Sequence, residues 1–237
     1  MVNGEGVDLA YTYVAVGGHW QNLAHLLGLD PIDVPGFLGV GELVHLALAQ
    51  DTAFRTVQLA YGISLDVPSH WAVLSLEDRK NIGAAGQAMA ENVGIEGPSG
   101  RKESLLAMNA TPSPTGAMIR VSVTSPPDLT QADLAAATPS DLQEIGTEML
   151  GIFRQLETPG GLKIIKMQPV RIERINNYRA LVISYIRAGA TGPFPWQVTQ
   201  YKIPVSNHLI EITLSHRKPD AVVWRPILER VKRSIKF

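Results

Sequence analysis

Six histidines are the first residues to weigh for chemistry, because imidazole changes charge near neutral pH and is the commonest metal ligand. Their spacing argues against both uses. His19 and His25 are six apart, which sets them on different faces of a helix. His208 and His216 share the parity of one strand, but eight extended residues separate them by about 27 Å. His45 and His70 stand alone, so ordinary surface or satisfied histidines are expected throughout. Nucleophilic catalysis has no more support. The chain has no cysteine and no Gly-x-Ser-x-Gly elbow, and Gly97-Pro98-Ser99-Gly100 lacks the surroundings of one. Phosphate cradles are absent too, since Gly36-Phe37-Leu38-Gly39-Val40-Gly41 has glycines without the required spacing or a preceding strand. Asp30 and Asp33 flank a proline loop with no further ligand nearby. No catalytic residue, metal ligand or cofactor is expected.

One segment remains. Phe194-Pro195-Trp196 follows Gly192-Pro193 in a loop between strands, where an exposed tryptophan would serve as an interaction anchor. The competing reading is an aromatic packed over a sheet edge. Phe194 and Trp196 are the candidate interaction surface, while Trp71 and Trp224 read as core.

The elements that must position this segment belong to a packed protein. The 237 residues are 45% hydrophobic and 18% charged, which excludes a disordered chain and allows one large domain. A net charge of -1 gives nucleic acid no reason to be the main partner. The charge is unevenly placed. All 21 Lys and Arg lie from Arg55 onward with 16 of the 22 acids, a balance of +5, whereas Glu5, Asp8, Asp30, Asp33, Glu42 and Asp51 precede them. The absence of cysteine removes disulfides and thiolate metal sites without fixing a compartment. No stretch is long and apolar enough for a transmembrane helix, Val34 to Gln50 being interrupted by Pro35, Glu42 and His45. Leu46 to Gln50 looks like the small-residue end of a secretory signal, but a basic n-region is missing and Glu42 sits in the apolar part. A buried amphipathic helix is therefore expected there.

Residues 1–51 read as an N-terminal extension, with a short strand near Tyr11–Val16 and helices around Trp20–Leu27 and Leu43–Gln50. From residue 52 the pattern becomes regular. Arg55–Tyr61 and Gly62–Val67 read as strands, the second half-buried, with Ile63, Leu65 and Val67 on one side and Ser64 and Asp66 on the other. Ser75-Leu76-Glu77-Asp78 opens a helix to about Asn92. Strands follow over Lys102–Asn109 and Ala117–Thr124. Thr130-Gln131-Ala132-Asp133 and Thr138-Pro139-Ser140-Asp141 each carry a helix start, the second with proline where its missing N–H costs nothing. Leu142, Ile145, Met149, Ile152, Phe153 and Leu156 then trace the clearest helical stripe. Leu162–Ile175, Tyr178–Arg187, Trp196–Ile203 and His208–His216 form an antiparallel meander, with Pro169 at a bulge or edge and Asn176-Asn177 as a turn. The last helix buries Trp224, Ile227, Leu228, Val231 and Ile235 and turns Arg225, Arg230, Lys232, Arg233 and Lys236 to water. Pro226 either starts or kinks it.

Gly62-Ile63-Ser64-Leu65-Asp66-Val67-Pro68-Ser69-His70-Trp71 resembles the G-x-S-x-x-x-P-x-x-W opening of the PsbP-like and DcrB-like proteins. Trp224 to Phe237, ending Ser234-Ile235-Lys236-Phe237, resembles their closing helix. The likeness runs over roughly residues 52–237. It implies an α+β fold, a mostly antiparallel sheet with helices on both faces in an α/β/α sandwich, plus the mixed N-terminal extension. It also implies non-enzymatic work, since members include photosystem accessory subunits, envelope proteins, Ran-binding factors and adaptor chaperones. No binding residue transfers from any of them, because the likeness is structural. It favours a periplasmic or extracytoplasmic place, although the chain shows no clear signal peptide.

The favoured reading is a non-enzymatic binding or accessory protein with a protein partner, compatible with a homodimer. The alternatives are an adaptor chaperone for apolar segments of a secreted client, and an enzyme without a readable motif.

Overall fold

The computed structural model describes residues 52–91, 100–111, 115–157, 163–189 and 193–237. The expected strand and helices of residues 1–51 lie outside them. The elements are β1 (Phe54–Gln58), β2 (Ser64–Pro68), β3 (Ala72–Val73), α1 (Leu76–Glu91), β4 (Arg101–Asn109), β5 (Ala117–Ser125), α2 (Gln131–Ala136) and α3 (Pro139–Gln155). They continue with β6 (Ile164–Met167), β7 (Arg171–Ile175), β8 (Tyr178–Arg187), β9 (Trp196–Val205), β10 (His208–Arg217) and α4 (Ala221–Ser234). β1 and β2 form a small antiparallel pair. The others make one antiparallel sheet in the order β3-β4-β5-β10-β9-β8-β6, with β7 also on β8.

Side-chain parity divides this sheet into two buried faces. On one face Ile119, Val121, Val123, Ile210, Ile212 and Ile203 meet Ile227, Leu228 and Val231 of α4, Leu65 and Val67 of β2, and Ile63 just before it. On the other, Leu181, Ile183, Tyr185 and Val198 meet Leu134 of α2 and Phe153 of α3, with Leu142, Ile145 and Met149 alongside. Helices on both faces make an α/β/α sandwich. Each large apolar side chain withdrawn from water contributes about 1.5–3 kcal/mol, so these two layers dominate the stability.

Local signals set the ends of the elements. Thr130 and Thr138 each accept from the N–H three residues on, while Asp133 and Asp141 accept from the threonine N–H, completing two capping boxes. Those hydrogen bonds hold both carboxyls below the usual carboxylate range. Ser75 and Asp78 make the same reciprocal pair ahead of α1. Asn176 at φ 51° and Ser206 at φ 52° turn the β7–β8 and β9–β10 hairpins.

Three expectations need correction. The strand expected over Leu162–Ile175 is two strands, because Pro169 has no N–H to continue the ladder with β8. β2 is not half-buried: Ser64 is buried and exchanges backbone hydrogen bonds with Lys236, closing the second side of the strand. Lys232 does not face water. It lies half-buried between Glu173 and Glu229, 3.3 Å from each, with its ammonium 5.6 Å from the Tyr201 ring. Its long stem follows the apolar side of α4 to reach them. Pro226 lies inside α4, on the exposed side.

Candidate interaction surface

Phe194 and Trp196 sit at one end of the large sheet, both half-buried. Trp196 opens β9, and backbone pairing sets its neighbours: Arg187 of β8 on one side and Arg217 of β10 on the other. Directly paired residues project from the same face, so the three form one row. The Arg187 guanidinium carbon lies 5.4 Å from the Trp196 ring centroid. Arg217 lies 5.5 Å from the Phe194 ring centroid and is bound to Asp220 at 2.6 Å. Stacked guanidinium groups of this kind gain about 0.5–2 kcal/mol from the ring and keep their N–H edges available. Pro195 also belongs to the scaffold, since its carbonyl accepts from Lys218 N–H.

The two arginines differ in one respect. Arg217 has a carboxylate partner. Arg187 has none among the described residues; its guanidinium donates to the Ala188 carbonyl at 3.0 Å. Burial lowers its pKa. A partly dehydrated cation without a counterion costs free energy that a well-placed carboxylate would offset.

Two tryptophans underlie this end. Trp71 is 3% exposed and meets Trp224 edge-on, ring centroids 5.8 Å apart. Trp71, read as core, is thus buried against the last helix, while Trp224 is half-buried. A Cβ on Gly116 would come within 2.7 Å of the Trp224 indole nitrogen, so only glycine lets the strand backbone approach this ring. His216 is buried beneath the start of α4, donating from Nδ1 to the Arg217 carbonyl, and burial lowers its pKa.

The opposite end of β10 carries a second group that sequence spacing did not bring together. Tyr61 takes φ 63°, a left-handed conformation uncommon for a tyrosine, and lays its ring 4.6 Å from that of His208. Its hydroxyl donates to Glu103 at 2.9 Å, which raises its pKa. His208 Nδ1 contacts Ser125 Oγ. A serine beside a histidine has the parts of a nucleophile and its base. A third group to orient the imidazole is missing among the described residues, because Glu103 is engaged by Tyr61.

Between the ends, the sheet face that bears Trp196 turns polar. Glu211 lies 3.0 Å from Lys102 and 3.3 Å from Lys202. Burial pushes its carboxyl up, but the two ammonium groups outweigh this and leave it below the usual range. Arg120 is half-buried without a carboxylate partner among the described residues, and burial lowers it to about 10. Its N–H groups are spent on the Met108 and Ile119 carbonyls and on Asn109 Oδ1. Both features hold strands together. Among the described residues no group of three or more His, Cys, Asp or Glu could hold a metal ion. No described helix is long and apolar enough to cross a membrane.

The sequence singles out Phe194 and Trp196, and the structure sets Arg187 and Arg217 beside them, which sequence spacing did not. The signal available was strand register: Asn176-Asn177 and the β9–β10 turn set which residues lie opposite one another.

No family model matches the chain, and no curated protein does. Solved structures do. The chain is similar to the solution structure of cyanobacterial PsbP (CyanoP) from Synechocystis, at 13% identity over 87% of this chain and 99% of that one, with TM-score 0.47. It is similar to LpqN, involved in cell envelope biogenesis of Mycobacterium tuberculosis, at 11% identity over 79% and 93%, with TM-score 0.40. A Bacteroides thetaiotaomicron structure matches at 10% identity over 73% of this chain, with TM-score 0.38, and the chain spans 44% of that protein's length. These are likenesses of chain path.

Proposed function

We propose that this protein is a non-catalytic binding or accessory protein whose contact surface is the sheet end carrying Phe194 and Trp196. The observation that carries the reading is the row Arg187–Trp196–Arg217, in which half-exposed aromatics are each covered by a guanidinium and held in place by strand pairing. Tryptophan and arginine dominate binding energy at protein interfaces, and a rigid scaffold reduces the ordering cost of using them. The partner is a protein. The resemblance at Gly62–Trp71 and at the closing helix supports an extracytoplasmic place for the pair, which fractionation of the native cell would check.

The test is capture from native lysate with the wild-type chain and a Phe194→Ala/Trp196→Ala double variant, followed by reconstitution with the purified partner. Loss of a defined partner in the double variant, with an unchanged circular dichroism spectrum, is the expected result. Equal capture by both would overturn the reading.

A further inference from the structure

We infer that the Arg187–Trp196–Arg217 surface receives a carboxylate-bearing segment of a partner protein, an inference that rests on the binding reading above. The surroundings of Arg187 point to that chemistry. Arg187 stacks on Trp196 and has no carboxylate within reach among the described residues, although its pair-row counterpart Arg217 has Asp220. A guanidinium lying over a ring can keep a planar N–H edge free, and such an edge matches a carboxylate in two parallel hydrogen bonds. Lys218 and Arg225 are exposed and lack ion-pair partners among the described residues, but so do Arg101 and Arg174 at the other end of the sheet. It is the half-buried Arg187 over Trp196 that is particular to this surface. The fit is to an acidic peptide rather than to a polyanion. A chain of net charge -1 lacks the extended basic field that phosphate backbones demand, and the rigid Phe194-Pro195-Trp196 wall suits apolar side chains between the carboxylates.

The probe is a short fluorescein-labelled peptide alternating glutamate and leucine, titrated with the purified full chain and read by fluorescence anisotropy. The wild-type chain is expected to bind it, more weakly as salt rises. Arg187→Glu is expected to weaken binding by about tenfold or more. Arg187→Lys, which keeps the charge and loses the planar fork, is expected to fall between, and a lysine-for-glutamate version of the peptide is expected not to bind. Circular dichroism of each variant confirms the fold. No binding of the acidic peptide, or equal binding by Arg187→Glu, would overturn the inference. So would tighter binding of an oligothymidylate or of phosphatidylglycerol vesicles. Repeating the lysate capture with Arg187→Glu separates the two readings. A partner lost from the Phe194→Ala/Trp196→Ala variant but kept by Arg187→Glu overturns the carboxylate inference and leaves the surface assigned. A partner kept by both overturns both, and one lost from both supports both.

Discussion

At the Tyr61 end of the large sheet, the functional groups answer one another within the chain. The Tyr61 hydroxyl has Glu103, His208 has Ser125, and Gln131 ties the Arg179 and Pro204 carbonyls and the Arg179 N–H into one set of hydrogen bonds. At the Trp196 end the backbone is just as well held. Exposed cations without an ion pair among the described residues occur at both ends, Lys218 and Arg225 here and Arg101 and Arg174 there. Only here does a cation, Arg187, lie half-buried over a tryptophan ring without a carboxylate among the described residues. The same sheet supports both ends, so its regularity does not explain the difference. A closed set of polar partners marks a structural end, and a cation stacked on an aromatic ring without its counterion marks the end where something from outside completes the pairing.

The largest expected effect tests what holds the Trp196 end rigid. Trp71→Ala removes a ring that is almost wholly buried against Trp224, and an aromatic-to-alanine change of this kind costs about 3–5 kcal/mol. Urea unfolding should show the loss at an unchanged slope. A loss near zero would mean that this end does not rest on the tryptophan pair.

Next in size, Gln131→Leu should cost about 2–3 kcal/mol, because it leaves the Arg179 and Pro204 carbonyls and the Arg179 N–H without the partners that α2 brings to the hairpin ends. The Tyr61 end should therefore respond to polar deletion as a stability element. Phe194→Ala is expected to behave in the opposite way: less than about 1 kcal/mol of stability, since the ring is half-buried at the surface, with loss of the captured partner. If Phe194→Ala unfolded the protein as strongly as Gln131→Leu, the two ends would be alike and the contrast would fail.

How much of this could be read from sequence follows from how far each signal reaches. The capping boxes at Thr130 and Thr138 are contained within four residues and were legible as written. So was the strand over His208–His216, and so was the Asn176 turn. Phe194 and Trp196 stood out because two aromatics next to prolines in a loop are conspicuous in any fold. Their arginines did not, since Arg187 and Arg217 join them only through the register of three strands. The Tyr61–His208 contact joins β10 to the turn after β1, which no local pattern encodes. Lys232 misled because helical periodicity places a side chain on a face without saying what stands beside that face, and here Glu173 of β7 does.

The smallest effect concerns pH and rests on His216. Burial lowers the pKa of this imidazole below its ordinary 6.5; the Arg217 carbonyl and Asp220 oppose the shift and Arg225 adds to it. A group whose folded pKa lies below its unfolded value contributes stability that is complete above the unfolded pKa. That contribution is lost as pH falls through the folded one. Stability should thus decline as pH drops below about 6.5, ahead of the loss due to Glu211, whose paired carboxylate is protonated only below the usual carboxylate range. His216→Gln should flatten the first decline and leave the second. Because the Nδ1–H that bonds the Arg217 carbonyl becomes a stronger donor when the ring is protonated, acidification should leave the residue that covers Phe194 in place. Partner capture, wherever the chain stays folded, should therefore be the same for the wild type and His216→Gln. An identical stability profile for the two chains would mean that His216 does not set the first decline, and capture that weakened with acid only in the wild type would mean that its protonation does reach the surface.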